Sequence, residues 1–64
     1  DEVRARHVAT SMRLRITGTI GILTAANENG LLNKDEAIEC VKILRMSNRH
    51  ISETLLNSVI ENLK

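Results

Sequence analysis

The chain has 64 residues and a formal net charge of +1, which allows one small domain and excludes a strong global field for attracting nucleic acid. It has no aromatic residue and one cysteine, so aliphatic side chains must form the core and no disulfide can form within the chain. Because so short a chain buries only about 60% of its unfolded surface, we expect a homo-oligomer, strand pairing with another chain, or the rest of a larger domain to complete it.

Membrane association is not expected, because no apolar run approaches spanning length and no signal peptide is visible. The lone cysteine fits a reducing, cytoplasmic location, since paired cysteines are typical of oxidising compartments. The helical pattern begins almost at Asp1. We therefore expect residues 1–64 to form a single incomplete domain, a piece of a longer chain.

A first helix is predicted over residues 2–12, where Val8 and Met12 belong to a modest apolar face. Asp1 and Glu2 lie at its start, where negative charge favours the helix dipole. The first quarter of the chain contains these two acids and four basic residues, which are Arg4, Arg6, Arg13 and Arg15.

A short strand is predicted over residues 14–17, which alternate apolar and polar side chains. A strand-to-helix turn is then expected, with Gly18 supplying backbone freedom and Thr19 capping the next helix. Gly21 falls in the first turn of that helix, where glycine costs stability. The usual reason for such a glycine is the close approach of another backbone or of a ligand. A well-made loop that binds no ligand is the alternative, and this stretch alone favours it.

Three helices follow this turn in the prediction. The first runs from residue 19 to about residue 29 and ends at Gly30 in a left-handed cap. The next begins at an Asn33–Glu36 capping box, and the last is capped by Ser52. The predicted fold is therefore mainly α: one helix, one short strand and three helices. Apolar stripes predict the core residues: Val41, Leu44, Leu56, Val59, Ile60 and Leu63.

No catalytic constellation is complete in the sequence. Cys40 lies in an apolar stripe, which is typical of an inert, buried thiol. His7 and His50 lack metal-ligand spacing to a partner. Asp1 and Glu2 are the exception, since adjacent carboxylates can hold a hard divalent cation. Two carboxylates alone make a weak site, however, and a dipole-favoured helix start is the better explanation of the pair taken by itself.

An ordered set of motifs runs through the whole chain: an acidic pair followed by Ala-Arg, a short extended run, Gly-Thr-Ile-Gly, Asn-Gly-Leu-Leu, and Arg-x-Ile-Ser-x-x-Leu. They occupy residues 1–9, 14–16, 17–23, 29–32 and 49–55. Together they resemble the C-terminal part of a PIN-domain protein, closest to the small prokaryotic, toxin-like branch of uncharacterised members.

The resemblance implies part of an α/β/α PIN-like fold and a metal-dependent endoribonuclease. It implies RNA as the substrate of the complete domain, Mg²⁺ or Mn²⁺ as the cofactor, and an antitoxin as a partner. Asp1 and Glu2 match the positions of metal ligands, and Thr17 and Thr19 match a turn beside the same catalytic site. Because the family's other acids have no counterpart here, we expect the chain to be inactive by itself.

A second hypothesis is a stand-alone dimeric module for helical interaction or DNA binding, of the ribbon-helix-helix type. Its paired strands would present Arg13 and Arg15, although such proteins usually have no helix before the strand. With Arg4, these are the candidate nucleic-acid-binding residues. A third hypothesis is an antitoxin-like peptide that binds a nuclease.

Overall fold

The computed structural model describes residues 1–48 and 51–64, and these form three helices. Helix α1 spans Glu2–Glu28, α2 spans Lys34–Ser47 and α3 spans Glu53–Glu61. The mainly helical prediction is confirmed. The predictions that involve Arg49 and His50 lie outside the described residues.

The predicted strand is wrong, because residues 14–17 lie in the middle of α1. An isolated strand leaves its backbone groups without partners, whereas a helix satisfies them locally. The hydroxyls of Thr17 and Thr19 donate to the carbonyl oxygens of Arg13 and Arg15, each at 2.9 Å. Thr19 is therefore not a helix cap. A single helix of 27 residues replaces the first two predicted helices and the strand between them.

The glycines of the predicted turn lie inside this helix as well. No atom lies within 4 Å of the position that a Cβ would occupy at Gly18 or Gly21. The close approach predicted at Gly21 is therefore absent within the described part of the chain. Gly30 does follow the end of α1 with a φ of 78°, the left-handed conformation predicted there.

The starts of α2 and α3 are confirmed as predicted. The Asn33 Oδ1 accepts the Glu36 N–H at 2.8 Å, and the Glu36 carboxylate accepts the Asn33 N–H at 3.0 Å. The Ser52 hydroxyl oxygen accepts the N–H of Leu55 at 3.4 Å. These bonds satisfy donors that a helix start otherwise leaves without partners.

The core lies where the C-terminal part of α1 meets α2 and α3. Four of the six predicted core residues are buried, whereas Leu44 and Ile60 are half-buried. Cys40 is half-buried and packs against this core. The buried apolar residues are Leu23, Ala37, Val41, Leu56, Val59 and Leu63.

The N-terminal part of α1 extends away from this core. Residues 1–15 are all exposed, and the molecule measures 43 × 19 × 16 Å along its principal axes. We call residues 1–19 the arm, and residues 20–48 with 51–64 the body. None of the helices described is both long enough and apolar enough to span a membrane.

Candidate functional site on the arm

The predicted metal ligands lie at the N-terminal end of α1. Asp1 is the N-cap of α1, and its Oδ1 accepts the N–H of Arg4 at 2.8 Å. Glu2 is the first helical residue, and both acids are exposed. The cap uses the Oδ1 of Asp1. The Oδ2 of Asp1 and the carboxylate of Glu2 are therefore the oxygens best placed to coordinate a cation.

The two threonines lie far from these acids. At about 1.5 Å per residue, Thr17 and Thr19 are about 24 and 27 Å from Asp1 along the helix axis. Their hydroxyls are engaged with backbone carbonyls of the preceding turn. The structure therefore does not bring the four predicted catalytic residues together, and the role of the threonines stays a prediction.

The arginines of the arm lie on two sides of α1. A helix turns roughly 100° per residue, which places Arg4 and Arg15 on one side and Arg6 and Arg13 on the other. Arg4 and Arg15 border a shallow surface that also includes Asp1. All four arginines are exposed.

The positive charge of the arm is not neutralised by the body. The ion pairs that the described residues form are Lys42–Glu39 at 3.6 Å and Arg45–Glu53 at 3.5 Å, and both lie within the body. The arm arginines are thus placed to attract an anionic partner.

A groove of about 770 Å³ lies between the arm and the described residues at the end of α2 and the start of α3. Arg13 is its one charged lining residue in the described part of the chain. The α1 wall consists of Ala5, Val8, Ala9, Met12, Arg13, Ile16 and Thr17, and the opposite wall of Met46, Ser47, Asn48, Ile51, Ser52 and Leu55.

Sequence reasoning missed this groove because it divided α1 into three elements. The signal was an apolar repeat at spacings of three and four residues, which runs through Ala5, Ala9, Met12 and Ile16 and reaches the buried Leu23. Such a repeat is typical of one continuous helix face.

A family model described as a PIN domain matches residues 1–64. The chain belongs to the PIN-domain family. The predicted resemblance is thereby confirmed over the full sequence. PIN-domain membership implies a nucleic-acid substrate, and PIN domains generally use divalent metals. No curated protein and no solved structure matches the chain.

The carboxylates of this PIN-domain chain do not complete a metal site by themselves. Mg²⁺ requires near-octahedral oxygen coordination, and its sites combine carboxylates with waters and substrate phosphates. Within residues 1–48 and 51–64, no group of three or more His, Cys, Asp or Glu side chains could hold a metal. Asp1 and Glu2 alone do not fit a catalytic metal.

The ribbon-helix-helix alternative loses its structural basis. It required residues 14–17 as a strand that pairs with a partner chain, and these residues are helical. Arg13 and Arg15 consequently lie on different sides of a helix rather than on a β-ribbon.

Proposed function

We propose that this PIN-domain chain is the C-terminal segment of a metal-dependent, toxin-like endoribonuclease and that it does not cleave RNA by itself. The family match across residues 1–64 carries the proposal. The placement of two acids at the end of an arginine-bearing arm supports it.

Asp1 and Glu2 are the proposed ligands of Mg²⁺ or Mn²⁺ in the complete domain. Clustered carboxylates are needed to hold metal ions that activate water and stabilise the charge of phosphoryl transfer. The remaining acids must therefore come from outside these residues. Thr17 and Thr19 are proposed to contact water or a substrate phosphate beside the metal site. Because Asp1 lies about 24 Å or more from them along the helix, this role also needs acids other than Asp1.

RNA is the proposed substrate, with Arg4, Arg13 and Arg15 as phosphate contacts. Arg4 and Arg15 lie on the same side of the arm as Asp1, about 17 Å apart along the helix axis. Arginine contacts to phosphates give affinity that depends little on sequence and strongly on salt. An antitoxin partner and a homo-oligomer stay predictions, whereas strand pairing is not proposed because residues 14–17 are helical.

The proposal is tested by incubating the purified chain with a labelled RNA hairpin and Mn²⁺, and measuring binding and cleavage in the same samples. We expect salt-dependent binding that weakens in Arg4→Ala and in Arg15→Ala. Each lost contact to a single strand should lower the slope of log affinity against log salt by about 0.7. We expect no metal-dependent cleavage products.

Lys34→Ala is the matched control, because Lys34 is an exposed cation on the body, and its RNA affinity should equal that of the wild type. Metal-dependent cleavage by the chain alone would overturn the proposed inactivity. Tighter binding to duplex DNA than to RNA would contradict the proposed substrate.

A further inference from the structure

One side of the arm carries a row of basic and polar side chains. Arg4, His7, Ser11 and Arg15 all line the shallow surface at the N-terminal end of α1. At roughly 100° per residue, they fall within about 80° of one another around the helix. They extend over about 17 Å along the helix axis. These four residues, which we call the basic row, therefore form a nearly straight line of hydrogen-bond donors.

The basic row has little negative charge beside it. All four side chains are exposed. In the part of the chain that the structure describes, no residue of α2 or α3 lines this surface, and Asp1 is the one carboxylate that does. Because burying unpaired charges is costly, this side of α1 suits water or an anionic ligand better than it suits the interior of a larger domain.

The Ser11 hydroxyl differs from the other hydroxyls of α1. Those of Thr10, Thr17, Thr19 and Thr24 donate to backbone carbonyl oxygens of the preceding turn. Among the hydrogen bonds that residues 1–48 and 51–64 form with one another, none involves the Ser11 hydroxyl. A hydroxyl can donate to a phosphate oxygen. Ser11 therefore offers the row a donor that the helix backbone does not use.

The composition of the chain decides which part of a nucleic acid this row can contact. Proteins that hold single strands through their bases stack these bases on aromatic side chains, and this chain has no aromatic residue. Phosphates follow one another along a strand as anionic acceptors, and guanidinium, imidazolium and hydroxyl groups all donate to them. Donors in a row along one side of a helix therefore suit the sugar-phosphate backbone rather than the bases.

We propose that His7 and Ser11 complete, with Arg4 and Arg15, a contact surface for the backbone of a single RNA strand that runs along α1. This inference rests on the proposed function, in which RNA is the substrate, and adds two contacts and a path. The strand runs beside the helix from Asp1, a proposed metal ligand, toward Arg15. His7 contacts a phosphate as the imidazolium, and the charge of a histidine ordinarily changes between about pH 5 and 8. RNA binding should therefore strengthen as the pH falls through this range.

Fluorescence anisotropy titrations of the intact chain with a labelled oligouridylate of about 12 nucleotides test the proposal. They are made at about pH 5.5 and about pH 7.0, where the phosphodiesters keep their charge and an α-amino group stays largely protonated. We expect the affinity to be about two- to fivefold higher at the lower pH, the strength of an exposed ion pair. The slope of log affinity against log salt should become steeper there by up to about 0.7, the effect of one further contact to a single strand.

Substitutions at His7 separate a charged contact from a structural role. His7→Gln should bind at both pH values as the wild type does at the higher one. His7→Lys should bind at both values as the wild type does at the lower one, because a lysine stays charged throughout this range. The control is His50→Gln, which replaces the second of the two histidines in the chain and should keep the pH dependence of the wild type.

Two matched pairs of variants locate the surface. Ser11→Ala should weaken binding at least about twofold. Thr10→Ala should bind as the wild type does, because the Thr10 hydroxyl already bonds to the Arg6 carbonyl oxygen at 2.9 Å. Arg4→Ala should weaken binding more than Arg6→Ala, which removes the same charge from the other side of α1.

The proposal is overturned if the affinity for the oligouridylate is the same at both pH values or if His7→Gln keeps the pH dependence. It is also overturned if Ser11→Ala binds as Thr10→Ala does, or if Arg6→Ala weakens binding as much as Arg4→Ala. In each of these cases RNA still binds, so the proposed function stands without this surface. Absence of RNA binding at both pH values would overturn both proposals. Metal-dependent cleavage by the chain would contradict its proposed inactivity and leave the basic row as the RNA contact.

Discussion

At the residue scale, Asn27 is the side chain whose role the sequence did not indicate. It is 6% exposed, and its Nδ2 donates to the carbonyl oxygens of Leu32 and Lys64, each at 3.1 Å. Its Oδ1 accepts the N–H of Lys64 at 2.9 Å. One buried amide therefore links the end of α1 to a residue 37 positions later, where it satisfies backbone groups near the core.

Asn27→Ala should lower the free energy of unfolding by about 1–3 kcal/mol, because it removes three hydrogen bonds and leaves part-buried backbone groups without partners. Urea denaturation followed by circular dichroism measures the change. The control is Asn57→Ala, at an exposed position within α3, which should change stability by no more than about 0.7 kcal/mol. Equal effects of the two substitutions would show that the Asn27 bonds contribute nothing.

At the element scale, the continuity of α1 runs against local preference. Residues 16–21 consist of β-branched residues and glycines, which are poor helix formers. The apolar stripe nevertheless continues through them from Met12 to Leu23, and the hydroxyls of Thr17 and Thr19 bond to the preceding turn. A continuous apolar face, half-buried at Ile16 and Ile20, therefore outweighs weak propensity here.

Glycine substitutions test this account of α1. Gly18→Ala and Gly21→Ala should each stabilise the helix by up to about 1 kcal/mol, because the space around both positions is open. Gly30→Ala should instead destabilise the chain by about 1–2 kcal/mol, because Gly30 has a positive φ. Helicity from circular dichroism and the unfolding midpoint report both effects. A loss of helicity in Gly21→Ala would contradict the continuous helix.

At the scale of the whole molecule, the chain divides into a small packed body and an exposed arm. Among residues 1–48 and 51–64, six apolar side chains are buried, and all of them belong to the body. Because regions with few buried contacts open at low free-energy cost, the arm should be the less stable part. A partner that covers the groove would stabilise it by mass action.

Amide hydrogen exchange should therefore be uneven along α1. We expect the amides of residues 5–15 to exchange at least about tenfold faster than those of residues 23–28, because local opening exposes only the former. Two-dimensional NMR of the exchanging chain resolves the two groups. Uniform protection along α1 in the free chain would contradict the division into arm and body.

Much of the fold was predictable because it depends on near neighbours in the chain. The capping box at Asn33, the cap at Ser52 and the left-handed Gly30 are each decided within a few residues. The stripes of α2 and α3 placed Val41 and Leu56 in the core because helical periodicity alone puts them on one face. The motifs in order indicated the PIN-domain family, and the family match confirmed it.

The sequence by itself thus determined the helix starts, most of the core and the family of this protein. Only the tertiary structure decided that residues 14–17 are helical, that Asn27 contacts Lys64, and that a groove opens beside the arm. The physical reason is that a four-residue alternating run suits a strand or a helix equally. The choice depends on whether distant backbone groups are present to pair with it and on which surfaces the rest of the chain covers.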